Sequence, residues 1–196
     1  MAGYLTILPG IFLIMSLWVS SKVINKIFKV YFAIVALFIS IIFVADISLY
    51  GYWGFRLDAT VLFYLKWPKE AMASVNVLTV IIGIIVIAII FILLYYLFTH
   101  FLLKEKFSQK GNENKFLNAF VLLLFTGLLF IPIRGGFDVS TMNVSKAYFS
   151  SRIELNHAAV NPMFNFMESL FKEQDFDRQY RFMSDKEAHE EFKKLI

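Results

Sequence analysis

The sequence predicts an all-α protein, a polytopic membrane helix bundle of four transmembrane helices with short amphipathic helices outside the cytoplasm. Three observations lead to this fold class. The 196 residues are 59% apolar and 17% charged, with a mean hydropathy of +0.66, a composition outside that of soluble domains. Long apolar runs fill the first two thirds of the chain, and the basic residues there are confined mostly to the loops between the runs.

The transmembrane prediction depends on the length of the apolar runs. They cover residues 4–19, 30–49, 75–98 and 116–133. Each reaches or approaches the length of about 20 helical residues that crosses a hydrocarbon core. The third is the clearest, because residues 71–103 contain no Lys, Arg, Asp or Glu, whereas a soluble helix has a polar face. The chain therefore divides into a transmembrane domain, residues 1–133, and a C-terminal segment, residues 134–196.

The loop lysines predict the orientation of the bundle. Three follow the first run and four follow the third: Lys22, Lys26, Lys29, Lys104, Lys106, Lys110 and Lys115. Short loops rich in lysine remain in the cytoplasm, which places the N-terminus, residues 50–74 and the C-terminal segment outside it. The basic excess is thus an orientation signal. A nucleic-acid partner is not expected, because the lysines are spread over two loops and no recognition motif accompanies them.

Two amphipathic helices are predicted in the C-terminal segment. Asn161 and Pro162 are a favourable N-cap and first helical residue, and Ser184 and Glu187 form a capping box. The apolar stripes that follow comprise Met163, Phe166, Met167 and Leu170 in the first helix and Ala188, Phe192 and Leu195 in the second. These stripes are too small for an independent core. They suggest packing on the membrane surface or on another domain.

Signals for catalysis are sparse. The absence of cysteine excludes a disulfide, a thiolate zinc site and a cysteine nucleophile. The histidines His100, His157 and His189 are isolated from one another, and no metal-ligand spacing or glycine-rich phosphate loop occurs. The acidic pairs Asp175/Asp177 and Glu190/Glu191 are typical of solvated surface. We therefore predict no catalytic residue and no metal ligand in this chain.

The more informative polar residues lie where the runs meet the outer membrane face. Asp46 is near the end of the second run, Arg56 and Asp58 follow it, and Arg134 follows the fourth run. An ionisable group close to the hydrocarbon usually has a partner or a function. One interpretation is a site for a lipid head group, because arginine suits bidentate contact with phosphate. The other is a structural cluster of salt bridges that fixes the helices.

Three motifs resemble a known family: YWGFRLD at residues 52–58, RGG at residues 134–136 and NHAAVNP at residues 156–162. With them the chain resembles the membrane domain and juxtamembrane linker of bacterial lipoteichoic acid synthase-like proteins, which are phosphoglycerol transferases of the sulfatase and alkaline phosphatase superfamily. The likeness covers most of the chain from Asp46 to Phe192. The opening GYLTILPGIFLIM is similar to the second helix of such proteins.

The resemblance implies five membrane helices and a large domain outside the cytoplasm, where a Thr nucleophile and a divalent metal, commonly manganese or zinc, transfer phosphoglycerol from a lipid. Against that pattern the first helix and the catalytic domain are missing, so we expect a fragment truncated at both ends. Loss of one helix gives the external N-terminus that the lysines predict. No cofactor is expected in this chain, because Mn or Zn would belong to the missing domain.

The leading hypothesis is a non-catalytic domain that anchors and orients a catalytic domain at the outer surface of the bacterial inner or cell membrane. Its partners would be membrane lipids and the catalytic domain in cis, and its oligomeric state is open. One alternative is a stand-alone membrane protein for interaction or assembly. A small transporter subunit is less favoured, because the third run lacks the polar or broken positions that transporters use. A complete small enzyme is the least favoured.

Overall fold

The computed structural model describes residues 1–67, 76–103, 114–137, 139–172 and 184–193. These residues are predominantly helical, and no strand occurs among them, which confirms the all-α class. The helices are α1 (Ala2–Met15), α2 (Ser21–Trp53), α3 (Val61–Lys66), α4 (Val77–Leu97), α5 (Lys115–Leu128), α6 (Phe130–Arg134), α7 (Ile153–Ala159), α8 (Pro162–Lys172) and α9 (Asp185–Lys193). A π-helical turn, Phe98–Leu102, extends α4, and a 3-10 turn, Val144–Ala147, precedes α7.

Three helical segments are long and apolar enough to cross a membrane: Ser21–Trp53, Val77–Leu102 and Lys115–Arg134. They correspond to the second, third and fourth apolar runs. The first run forms α1, which is apolar but has only 14 residues. At 1.5 Å per residue α1 is about 21 Å long, less than a hydrocarbon core of about 30 Å. By length and composition, the described helices are therefore compatible with a membrane bundle that has three crossings.

Some helix boundaries differ from the apolar runs. α2 begins at Ser21, nine residues before the run, because lysine is a good helix former and the loop lysines Lys22, Lys26 and Lys29 continue the helix. α1 ends at Met15 rather than at residue 19. The fourth run is divided between α5 and α6 at Leu129. Pro132 explains this division, since it has no N–H to donate to the carbonyl of Leu128.

α2 lies at the centre of the described bundle. It packs against α1 and α4, and α5 packs against α1. Aromatic rings fill the crossing of α1, α2 and α4: the centroids of Phe12 and Phe28 are 5.5 Å apart, and those of Phe32 and Phe98 are 5.6 Å apart. The Tyr31 hydroxyl donates to the Leu5 carbonyl at 2.6 Å, so one of the few polar groups in this crossing is satisfied.

α1 and α5 approach each other closely at glycine. A Cβ on Gly10 would lie 2.5 Å from Thr126 Oγ1, and one on Gly3 would lie 2.8 Å from Ile133 Cγ1. Real Cβ atoms essentially never make contacts this short. The two glycines therefore set the distance between α1 and the α5–α6 segment, as small residues commonly do between membrane helices.

Both predicted helix starts in the C-terminal segment are confirmed. Asn161 Oδ1 accepts from the Phe164 N–H at 3.0 Å. Ser184 N donates to Glu187 Oε2 at 2.9 Å, and Glu187 N donates to Ser184 Oγ at 3.4 Å, a reciprocal capping box. Some residues of the sequence-based interpretation lie outside the described ones: Lys104, Lys106, Lys110, Asp175, Asp177, Leu195 and the side chains of Ala188 and Glu190.

Candidate functional site

The site begins with the reversal of the chain after α2. Gly54 ends the helix in the left-handed conformation (φ 72°), and its N–H donates to the Tyr50 carbonyl at 2.9 Å. Glycine takes this conformation at no steric cost. Residues 54–60, which we call the α2–α3 loop, then fold back on α2. Leu57 and Ala59 of this loop are buried, at 2% and 5% exposure.

Asp46 fixes the loop to the helix. Its carboxylate is 1% exposed, Oδ1 accepts from the Leu57 N–H at 2.8 Å, and Oδ2 lies 3.1 Å from Arg56 Nη1. Oδ2 and Arg56 Nε have no hydrogen bond of good geometry among the described residues. The pair is therefore a single ion contact rather than the bidentate arrangement that binds carboxylates most strongly.

Arg56 connects this pair to the C-terminal segment. Its Nη2 donates to the Val160 carbonyl at 3.1 Å, 104 positions further along the chain. We call the contacts from Asp46 through Arg56 to Val160 the ion-pair link. Since Arg56 is 19% exposed and Asp46 is buried, the link lies at the edge of the packed interior. It joins a membrane-type helix directly to the turn between α7 and α8.

Two side chains of α8 reinforce the same junction. Asn165 Nδ2 donates to the Leu57 carbonyl at 2.9 Å, and the Ala59 N–H donates to Ser169 Oγ at 2.8 Å. Both satisfy backbone groups of the α2–α3 loop, where an unpaired buried group would cost about 1–3 kcal/mol. The loop is thus held between α2 on one side and α8 on the other.

α7 is attached to α2 through His157. The Tyr50 hydroxyl of α2 lies 3.1 Å from His157 Nδ1, and His157 is 8% exposed. The neighbouring Asn156, also buried, accepts from the Phe149 and Ser150 N–H groups at 2.9 and 2.8 Å through Oδ1. α7 therefore contributes one contact to α2 and one that organises the segment before it.

Glu168 of α8 binds the 3-10 turn. Its Oε2 accepts from the Val144 N–H at 2.7 Å, and its other oxygen pairs with Lys172 one turn along the helix. The Met142 N–H in turn donates to the Arg134 carbonyl at 2.6 Å. These contacts bring the end of α6 and the end of α2 to the same side of the bundle, with α8 between them.

A cleft of about 270 Å³ opens beside the ion-pair link. Its polar lining includes Arg56, Asp58, Tyr148, His157 and Asn165. Asp58 Oδ1 accepts from the Thr60 N–H at 2.9 Å, a local turn contact of a kind common for aspartate. The cleft presents hydrogen-bond donors and acceptors, and also one positive and one negative side chain, Arg56 and Asp58. Its chemistry therefore suits a polar or zwitterionic group.

The four residues of the predicted polar cluster do not form one site. Asp46 and Arg56 pair with each other, and Arg56 and Asp58 share the cleft. Arg134 ends α6 and is not in the lining of that cleft. The ion pair between Asp46 and Arg56 thus agrees with the structural interpretation for these two residues. Among the described residues no group of three or more His, Asp or Glu side chains is placed to hold a metal ion.

The sequence predicted no contact of the junction for six of its residues: Tyr50, Asn156, His157, Asn165, Glu168 and Ser169. Their contacts join positions far apart in the chain, which no local periodicity reveals. The signal that did mark part of them was the NHAAVNP motif, since it contains Asn156, His157 and Val160. Two of the three motifs of the family resemblance, at residues 52–58 and 156–162, therefore meet in the structure through Arg56 and Val160.

Fold and site together define a class: an all-α protein with helices suited to a membrane and a C-terminal segment bound to one of those helices. Comparison with models of known families, with curated proteins and with solved structures finds no match.

Proposed function

We propose that this chain is the non-catalytic membrane domain of a lipoteichoic acid synthase-like transferase of the sulfatase superfamily, acting on phosphoglycerol- or phosphoethanolamine-type groups. In this proposal it anchors and orients a catalytic domain in the same polypeptide at the outer face of the bacterial membrane. The observation that carries it is the ion-pair link, in which Arg56 of one family-like motif binds Val160 of another.

The link gives a physical means of orientation. A domain on a loose tether samples many directions, whereas one attached through a segment bonded to a membrane helix keeps one direction and height. Here α8 and α7 contact α2 or its loop through Asn165, Ser169 and His157. Holding a reacting group near its substrate lowers the entropic cost of reaction. Orientation of this kind would favour lipid substrates over freely diffusing ones.

The same proposal includes the topology. We infer a fourth crossing by α1 together with the turn that follows it, and an external location for the N-terminus and the C-terminal segment. The support is the lysine distribution of the sequence, together with the position of the ends of α2 and α6 on one side of the bundle. Manganese or zinc would be bound by the catalytic domain rather than by this chain.

The cleft supports a second role for the same face. In it Arg56 and Asp58 would contact the polar head group of a membrane lipid, as the sequence suggested. The specific observation is that both side chains line one cleft, together with His157 and Tyr148. Asp58→Asn would remove the charge and keep the shape. If the folded variant loses lipid affinity, the head-group role is supported. If its lipid affinity is unchanged, the residues have the structural role and not the head-group role.

The anchoring function is tested by joining the chain to the catalytic domain of a lipoteichoic acid synthase. Turnover of a phosphoglycerol lipid in liposomes is compared with turnover of a water-soluble analogue. Deleting α1–α6 or replacing Arg56→Ala should lower lipid turnover and leave the soluble analogue unaffected. Arg152→Ala is the matched control, because Arg152 is 72% exposed and contacts only the exposed Glu154 among the described ion pairs. Equal lipid turnover in all variants would refute the proposal.

A further inference from the structure

Two apolar side chains project from the chain directly after α6. Phe137 is 87% exposed and Val139 is 99% exposed. They follow Arg134, the last residue of a segment suited to cross a membrane, by three and five positions. Isolated apolar residues on a surface need no explanation, but an aromatic and a β-branched residue this exposed beside a membrane helix form an apolar tip.

The fold holds the base of this tip in place. The N–H groups of Gly135 and Gly136 both donate to the Ile131 carbonyl, at 3.1 and 3.0 Å. Both glycines have positive φ, 91° and 109°, a conformation that side chains rarely adopt. The Met142 N–H closes the loop on the Arg134 carbonyl at 2.6 Å. Backbone hydrogen bonds therefore hold the chain before the tip, at Gly135 and Gly136, and after it, at Met142.

The bilayer is the occupant that this geometry favours. A side chain three residues beyond a membrane-crossing helix lies within reach of the lipid that surrounds that helix. A Phe or Val side chain is more stable in an apolar environment than in water. Phenylalanine is common on the apolar face of helices that lie at the boundary between head groups and acyl chains. The sequence places Asp138 between the two, and a carboxylate is costly in hydrocarbon, which limits the depth of insertion.

We propose that Phe137 and Val139 insert into the boundary between head groups and acyl chains. They form a second anchor that fixes the start of the C-terminal segment against the lipid surface. This anchor does not depend on the nature of any catalytic domain. It acts at the end of α6, whereas the ion-pair link acts at the end of α2.

The absence of native cysteine allows a direct test. Single variants Phe137→Cys and Val139→Cys carry a nitroxide label in phosphatidylcholine liposomes, with and without phosphatidylglycerol. Collision with oxygen, which concentrates in the bilayer, is compared with collision with a water-soluble nickel chelate. Leu124→Cys, on the exposed face of α5, gives the reference for lipid, and Arg152→Cys gives that for an exposed position of the C-terminal segment.

We expect the label at both positions to collide more often with oxygen than with the nickel chelate. The ratio of the two collision rates should then approach that of Leu124→Cys. A dependence on phosphatidylglycerol would add that anionic lipid strengthens insertion, and independence would assign the effect to apolar contact. Nickel collision exceeding oxygen at both positions would overturn the proposal and leave the tip for a protein partner. Val139→Cys carries the test if Phe137→Cys folds poorly, because a 99% exposed side chain has no contact to lose.

Discussion

At the scale of the residue, Arg56 makes two tertiary contacts that its position in the sequence does not predict. It is partly exposed and lies in a loop, yet it neutralises a carboxylate that is 1% exposed and holds a carbonyl of the C-terminal segment. Leaving one member of a buried pair without its partner is much more costly than replacing the pair, because the remaining charge is desolvated without compensation. The energetic importance of Arg56 therefore comes mainly from Asp46.

This asymmetry gives a prediction for stability. Arg56→Met keeps most of the side-chain volume and should destabilise the protein by about 3 kcal/mol. Asp46→Asn removes the charge and keeps an oxygen for the Leu57 N–H, so the double variant Asp46→Asn/Arg56→Met should be closer to the parent than Arg56→Met alone. Thermal unfolding in detergent micelles measures both. If the double variant is no more stable than the single one, the cost lies in the lost bond to Val160 and not in the unpaired, buried charge of Asp46.

The residue scale also shows the limits of the sequence. It placed Asp46, Arg56, Asp58 and Arg134 in one cluster because all four flank apolar runs. The structure pairs Asp46 with Arg56, because the α2–α3 loop folds back on α2 after Gly54 and buries Leu57. The partners Asn165 and Ser169 lie more than a hundred residues away in the chain. Composition near a membrane identifies candidates, but only tertiary contacts select among them.

At the scale of the element, helix positions followed from apolar runs and helix ends followed from chemistry that the runs do not record. The lysines at the start of α2 extend the helix beyond the apolar stretch, and Pro132 divides the last one. The cap residues Asn161, Ser184 and Glu187 were identified from sequence because capping is local. The close approach of α1 and α5 was not, because two glycines among apolar residues carry no periodic signal.

That approach gives a prediction for helix packing. Gly10→Ala should destabilise the bundle by about 1–3 kcal/mol, the range for overpacking, because its Cβ would meet Thr126 at 2.5 Å. Gly83→Ala, in α4, meets nothing within 4 Å and should be neutral or slightly stabilising through helix propensity. Unfolding temperatures in micelles compare the two.

Thr126→Ala provides the rescue. It removes both Oγ1 and Cγ2, the two atoms nearest to the added methyl group, so the double variant Gly10→Ala/Thr126→Ala should recover much of the lost stability. A Gly10→Ala protein as stable as Gly83→Ala would show that α1 and α5 do not pack as described.

The capping box of α9 gives a prediction for pH. Hydrogen bonds from Ser184 hold the pKa of the Glu187 carboxyl below its ordinary value. A lowered pKa means that the stabilisation is present above the ordinary carboxylate range and is lost as pH falls through the lowered value. The start of α9 should therefore fray only in acid, as followed by NMR shifts of the Glu187 amide. Glu187→Gln keeps the cap and should abolish this pH dependence; a dependence that persists would point to another group.

At the scale of the whole molecule, α2 is the central helix, because α1, α4 and α8 all contact it. α1 and α4 pack on its sides, and the α2–α3 loop binds the C-terminal segment at its end. The sequence predicted a division at residue 133, where the fourth apolar run ends. The contacts cross that division at Arg56–Val160, Tyr50–His157 and Leu57–Asn165, so the two parts of the sequence are joined physically at one side of the bundle.

The central claim is that the ion-pair link makes this junction rigid, and a distance distribution tests it most directly. Nitroxide labels at Ile47→Cys in α2 and Phe171→Cys in α8, both exposed positions, report the separation of the two helices by pulsed electron resonance in liposomes. We predict a narrow distribution in the parent protein, a broad one after Arg56→Ala, and no broadening after Arg152→Ala. A distribution as narrow after Arg56→Ala as before it, or one already broad in the parent, would contradict the claim.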